Sequence, residues 1–155
     1  MQRRAVLPLA LAAVLAACGS APRTPRTPGE SHLTPEAARD AAVHALGLVG
    51  TPYRYGGNTP DGGFDCSGLI GYVYRHGETP VAAPRTVAQL ADWGAAVDRT
   101  ALRTGDLVIF GARTHAGIYV GEGRFVHAPS TGGTVRLDRL DGPYWARQRV
   151  AFRRP

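Results

Sequence analysis

The chain has 155 residues, of which 44% are apolar, and it contains 20 glycines, 12 prolines and two cysteines. This length fits one compact domain, since two separate cores would each need about 100 residues. The composition excludes a collagen-like repeat and a disulfide framework. All 18 basic residues are arginines, against 12 acidic residues, and the net charge of +6 falls to +4 without Arg3 and Arg4. Because most of the arginines are scattered along the chain, the sequence predicts no nucleic-acid partner.

The N-terminal segment resembles the signal of an exported lipoprotein. Two arginines precede an apolar run over residues 5–17, which is shorter than the ~20 residues that span a bilayer. The Leu-Ala-Ala-Cys sequence that ends at Cys18 resembles the bacterial lipobox, in which the leader is removed and the cysteine is acylated. Residues 1–17 are therefore predicted to be a signal peptide, and Cys18 a lipid anchor in the membrane of the cell envelope. Gly19 after the cysteine indicates the periplasmic face of the outer membrane; a plain secretory signal is the alternative.

A tether and one folded domain are expected to follow. Residues 18–33 are rich in Pro, Thr and Arg and have little to bury, which predicts a flexible linker of roughly 20 Å. The domain is predicted over residues 34–155, with Thr34 as the N-cap of the first helix and Gly50 as its stop. Two further helices are predicted over residues 65–76 and 86–93.

The pattern after residue 94 changes from helical to short extended segments. Strands are predicted over 107–110, 116–120, 124–128, 134–137 and 149–153. Helices first and consecutive strands afterwards predict an α+β fold, in which N-terminal helices pack on a central antiparallel β-sheet.

Cys66 is the only thiol left if Cys18 carries lipid, and an exported protein that keeps one unpaired cysteine invites an explanation. Asp65 can cap the second helix, which places Cys66 in the first turn. There the helix dipole, together with a nearby histidine, is expected to lower the pKa of the thiol and make it a better nucleophile. A buried cysteine that acts as a small apolar side chain is the alternative.

His115 and His127 flank a predicted hairpin, and its register decides whether they can meet. If residues 121–123 form a three-residue loop, Val120 pairs with Arg124 and Gly117 lies opposite His127. The two histidines then lie diagonally on one face of the sheet, whereas a two-residue loop would put them on opposite faces.

Six short motifs follow one another along the predicted domain. They are Tyr53-Arg-Tyr-Gly-Gly57, Asp65-Cys66-Ser67-Gly68, Pro84-Arg85-Thr86 with Gln89, Gly105-Asp106, His115-Ala-Gly-Ile-Tyr119 and Phe125-Val-His127-Ala128. In this order they resemble the NlpC/P60 cysteine peptidases of bacterial cell walls. The resemblance implies a papain-like fold and hydrolysis of a peptide bond in the stem peptides or cross-links of peptidoglycan, at either D-Ala–diaminopimelate or γ-D-Glu–diaminopimelate.

The resemblance also implies a role for each matching residue. Cys66 would be the nucleophile, His115 its base and His127 the residue that orients the base. Tyr53 matches a tyrosine whose hydroxyl lies near the nucleophile, although its loop is slightly longer than in a lipoprotein murein endopeptidase of the family. Three further positions match residues that line the substrate cleft: Asp65, Ser67 and Arg85.

Other functions are compatible with the same residues. A wall-binding module with vestigial catalytic residues, an amidase or acyltransferase with the same triad, and a zinc site formed by Cys66, His115 and His127 remain alternatives. The peptidase hypothesis needs no metal or cofactor, and we expect a monomer.

Overall fold

The computed structural model describes residues 33–155. The predicted signal peptide, Cys18 and the tether up to residue 32 lie outside the described residues, and their assignments stay predictions. The α-helices within residues 33–155 are α1 (Pro35–Gly47), α2 (Cys66–Arg75) and α3 (Val87–Leu90). In this part of the chain, no helix combines the length and the apolar character needed to cross a membrane.

The predicted helix starts are confirmed by their N-caps. The Thr34 hydroxyl accepts a hydrogen bond from the N–H of Ala37 at 3.2 Å, and the Asp65 carboxylate accepts one from the N–H of Gly68 at 2.6 Å. The predicted ends of α1 and α3 are wrong, because α1 stops two residues and α3 three residues early. After Leu90, for example, the N–H of Trp93 bonds to the Leu90 carbonyl, three residues back, and this tighter turn ends the helix.

A six-stranded antiparallel sheet forms the centre of the domain. Its strands, in spatial order, are β3 (Ala95–Val97), β8 (Val150–Arg154), β4 (Leu107–Phe110), β5 (His115–Gly121), β6 (Arg124–His127) and β7 (Arg136–Arg139). A separate hairpin of β1 (Asn58–Thr59) and β2 (Gly63–Phe64) precedes α2. The α+β prediction is confirmed, although the sequence did not predict β1, β2 or β3.

The strand predicted over residues 134–137 was placed two residues too early. The N–H of Val135 bonds to the Thr51 carbonyl at 2.7 Å, and the N–H of Gly50 bonds to the Val135 carbonyl at 2.8 Å. Because residues 134 and 135 pair with the segment after α1, β7 begins only at Arg136.

The two faces of the sheet carry different cores, because successive side chains of a strand point to opposite sides. One face packs against α1 and α2, and the fully buried residues of this core include Leu69 and Ile70 from α2 and Ala116, Ile118 and Val126 from the sheet. The opposite face carries a second cluster formed by Val108, Phe110, Phe125, Leu140 and Phe152. The two histidines of the predicted hairpin lie on this second face.

Candidate active site

The β5–β6 hairpin has the predicted register, but its turn differs from the predicted turn. Ile118 pairs with Val126, as the proposed register requires, but Gly121 rather than Val120 pairs with Arg124. The three-residue loop is therefore wrong: the turn consists of Glu122 and Gly123, whose φ angles of 50° and 71° are typical of a two-residue type I′ turn. A β-bulge at Val120 supplies the extra residue that restores the register.

This register brings His115 and His127 together. Nε2 of His115 lies 2.8 Å from Nδ1 of His127, and the ring planes are nearly perpendicular at 84°. His127 is completely buried, and Gly117 allows its strand to approach closely. A Cβ atom at position 117 would lie 2.7 Å from the Phe125 ring and 3.2 Å from the Cβ of His127.

Asp138 extends the pair of histidines into a chain, and sequence reasoning missed it. Its Oδ2 atom lies 3.0 Å from Nε2 of His127 and accepts a hydrogen bond from Nε1 of Trp145 at 2.9 Å. Arg136 donates to the other oxygen from two nitrogens, at 2.9 and 2.6 Å. Register analysis of the next strand pair could have found Asp138, because Arg136 lies opposite His127 and Asp138 follows two residues later on the same face.

Trp145 also contacts the histidines directly. Its ring stacks on His115 with 5.5 Å between centroids and 22° between planes, and it meets His127 edge-on at 5.0 Å. In the structure the indole covers one side of the imidazole pair and thereby limits the access of water to it.

Burial keeps both imidazoles neutral. Desolvation, followed by the neighbouring His127, lowers the pKa of His115 to about 4, although Asp138 acts in the opposite direction. Desolvation also lowers the pKa of His127, against the hydrogen bond that His127 donates to Asp138, which raises it. Desolvation would raise the pKa of Asp138, but hydrogen bonds from Trp145, Arg136 and His127 hold it below its usual value, so the carboxylate is ionised.

Cys66 is the first residue of α2, is partly buried and lies beside the start of β5. The backbone N–H of Ala116, the residue after His115, hydrogen-bonds to its sulfur. The expected lowering of the thiol pKa is wrong. Burial and then the negative charge of Asp65 raise the pKa of Cys66, and they outweigh the hydrogen bonds from Ala116 and from the first turn of α2. At rest, both the Cys66 thiol and the His115 imidazole are therefore neutral.

Asp65, Ser67 and Arg85 form a polar cluster next to the cysteine. Arg85 donates to both oxygens of Asp65, at 3.0 and 2.8 Å, and to the hydroxyl of Ser67 at 2.6 Å. Desolvation would raise the pKa of Asp65, but hydrogen bonds from Arg85, Gly68 and Gly56 hold it below the usual range. Because the Asp65 carboxylate is saturated by protein donors, its observed task is to hold Arg85 and the helix start in place. The Arg85 side chain remains 48% exposed.

Tyr53 lies near Asp65 and Cys66. It bridges to Phe64 of β2 and packs on the core next to α2. Burial raises the pKa of Tyr53, and the adjacent Cys66 and Asp65 raise it further, so its hydroxyl is protonated at neutral pH. A neutral hydroxyl near the sulfur can donate a hydrogen bond to an oxyanion.

The zinc alternative does not fit the histidine geometry. A metal ligand needs a free imidazole lone pair, but both nitrogens of His127 are engaged, one with His115 and one with Asp138. Within residues 33–155, no group of three or more His, Cys, Asp or Glu side chains is arranged to hold a metal ion. The arrangement can instead accept a proton from a thiol and pass polarisation through two imidazoles to a carboxylate.

Comparison with known proteins identifies relatives of the domain. A profile described as the NlpC/P60 family matches residues 50–154. The murein DD-endopeptidase MepH of Escherichia coli K12 is 40% identical over 126 residues, which cover 77% of this chain and 46% of MepH. The protein named murein DD-endopeptidase MepS/murein LD-carboxypeptidase, from the same strain, is 38% identical over 108 residues, or 68% of this chain and 56% of MepS. The chain thus spans about half the length of these relatives.

A solved structure agrees with the observed fold. The crystal structure of an NlpC/P60 family protein from Bacillus cereus ATCC 10987 superimposes with a TM-score of 0.70 at 29% sequence identity. The match covers 76% of this chain and 40% of that one. The papain-like arrangement of helices on an antiparallel sheet is therefore shared with a solved relative.

Proposed function

Because the chain belongs to the NlpC/P60 family, we propose that it is a cysteine peptidase that hydrolyses a peptide bond in the stem peptides or cross-links of peptidoglycan. One observation carries the proposal: a partly buried thiol at a helix start lies beside a strand whose first residue, His115, is hydrogen-bonded to a second histidine. MepH and MepS are both named DD-endopeptidases, which favours the D-Ala–diaminopimelate cross-link over γ-D-Glu–diaminopimelate as the bond cleaved here.

In the proposed mechanism, His115 acts as a general base during the attack. The thiol and the imidazole are both neutral at rest, so the proton passes from Cys66 to His115 as the sulfur attacks the amide carbonyl. Backbone N–H groups at the start of α2 and the Tyr53 hydroxyl stabilise the oxyanion. His115 then protonates the leaving amine, water releases the acyl-enzyme, and His127 holds the base in its tautomer throughout.

The test is digestion of purified sacculi from a bacterium whose wall contains diaminopimelate. The full-length chain in detergent should release soluble muropeptides, and Cys66→Ala should release none while its circular dichroism spectrum stays unchanged. Mass spectrometry of the new termini identifies the bond and separates a hydrolase from an amidase or an acyltransferase. Binding of the wild-type chain to sacculi without any release would overturn the proposal in favour of a wall-binding module.

The same protein is proposed to be anchored by lipid on Cys18, on the periplasmic side of the outer membrane. The lipobox-like sequence before Cys18 supports this proposal. Two or more acyl chains on this cysteine would anchor the protein stably, whereas one chain would be marginal. Mass spectrometry of the membrane-extracted chain should show an acylated N-terminal cysteine. Cys18→Ala should leave the chain unacylated, and an unmodified Cys18 in the wild type would contradict the proposal.

A further inference from the structure

Asp138 is the meeting point of the polar contacts behind the histidine pair. Its side chain is 14% exposed, and its two oxygens accept hydrogen bonds from three side chains: His127, Trp145 and Arg136. These partners come from two strands and from the 3-10 helix Trp145–Arg147. The described contacts of the carboxylate reach His115 by two routes, the hydrogen bonds through His127 and the ring of Trp145, and only the route through His127 can fix the position of a proton.

The acceptor character of this carboxylate determines where the imidazole protons lie. An ionised carboxylate can only accept, so Nε2 of His127 must carry the hydrogen. A neutral imidazole has one N–H group, and Nδ1 of His127 must therefore be the acceptor for His115. The hydrogen between the two rings then belongs to Nε2 of His115, which leaves the lone pair of His115 on Nδ1.

We propose that Asp138 is a positioning residue that acts through His127 to leave Nδ1 of His115 free to accept a proton. Without the carboxylate, His127 can take the opposite tautomer and donate to His115. The His115 lone pair then lies on Nε2, inside the histidine pair and turned away from Nδ1. The inference rests on the proposed function only where turnover is measured, because the tautomers can be observed without substrate.

A purely structural role is the rival explanation, since Asp138 also ties β7 to the 3-10 helix through Trp145. Two substitutions separate the roles. Asp138→Leu fills a similar volume but offers no acceptor. Asp138→Asn keeps a carbonyl oxygen for His127 and Trp145, turns its NH₂ group towards the more exposed Arg136, and removes the charge.

The experiment combines imidazole ¹⁵N NMR with kinetics. In the wild type, His115 and His127 should both be protonated at Nε2. The Leu variant should lose this pattern and lose about 10- to 100-fold in kcat, as loss of an outer hydrogen-bond partner commonly costs. The Asn variant should keep the pattern and recover most of the turnover. Asp141→Asn, three residues away on an exposed side chain, is the matched control and should match the wild type in both measurements.

The pH profile supplies a readout that a structural tie would not move. The ionisable groups around the pair are Cys66 on α2 and Asp138 with Arg136 on β7. The Asp138 charge raises the pKa of both histidines, so the Asn variant should shift the acidic limb of kcat/KM to lower pH.

Three results would overturn the inference. The first is a folded Leu variant that keeps both wild-type tautomers. The second is an Asn variant that loses as much turnover as Leu although its tautomers are unchanged. The third is an Asn variant whose acidic limb of kcat/KM is not shifted from that of the wild type. This third result decides the question if the Leu variant does not fold. Absence of turnover in the wild type would refute the proposed function but would leave the NMR comparison valid.

Discussion

Removal of the Asp65 carboxylate should lower the stability of the domain by an amount that depends on pH. Substituting an N-cap aspartate by alanine costs ~1 kcal/mol. The Gly56 N–H and the Ser67 hydroxyl also lose their acceptor, which costs about 1 kcal/mol more. The ion pair with the half-exposed Arg85 adds at most ~0.5 kcal/mol. For Asp65→Ala we therefore expect a loss of about 2–2.5 kcal/mol in the free energy of unfolding.

The sign of the pH dependence follows from the lowered pKa of Asp65. Its folded pKa lies below the usual value of 3.8, so the ionised form stabilises the native state above that value. This stabilisation is lost as the pH falls through the folded pKa. The stability difference between the wild type and Asp65→Ala should therefore be complete at pH 7 and should shrink below pH 4.

Thermal unfolding followed by circular dichroism measures this difference. At pH 7 the melting temperature of Asp65→Ala should fall by about 6–10 °C, since 1 kcal/mol corresponds to about 3–4 °C in a domain of this size. Asp65→Asn should lose less, because its amide oxygen can still cap α2. A gap of equal size at pH 3 would refute the role given to the carboxylate charge, and no gap at pH 7 would refute the capping role.

Three further outcomes are expected. Because burial and Asp65 raise the pKa of Cys66, alkylation by iodoacetamide should accelerate steadily from pH 6 to 9; a plateau between pH 5 and 8 would instead indicate a resting ion pair. Gly117→Ala should destabilise the domain by about 1–3 kcal/mol in urea unfolding, because the added methyl group overpacks the site. Gly71→Ala, in α2 with open space around it, should instead stabilise the domain by up to ~1 kcal/mol. Equal effects of the two substitutions would contradict the packing argument. Glu122→Gly should raise the melting temperature, since Gly adopts the positive φ of the turn without strain, and a lower value would argue against the two-residue turn.

Local chemistry made the helix starts and most strands predictable. Thr34 and Asp65 have side chains that bond to N–H groups three residues later, and this preference needs no tertiary context. The ends of α1 and α3 were less predictable. Apolar residues continue beyond both ends, but tighter turns stop the helices before the pattern does.

The site was predictable as far as one hairpin reaches. The sequence placed His115 and His127 on one face by assuming a three-residue loop, and only the bulge at Val120, which was not visible in the sequence, makes this placement correct for the observed two-residue turn. Asp138 belongs to a strand whose start depends on where the chain leaves the segment after α1. Its contact with His127 is therefore a tertiary outcome.

The sequence by itself determined the α+β class and the capped helix that presents Cys66, because each depends on patterns within a few residues of the chain. The tertiary structure alone decided the protonation states. Those depend on how much water is excluded and on which charges come close through the fold. Burial and Asp65 keep the thiol neutral, which is the reverse of what the helix start alone suggested. Burial together with Asp138 sets the pKa of the two imidazoles.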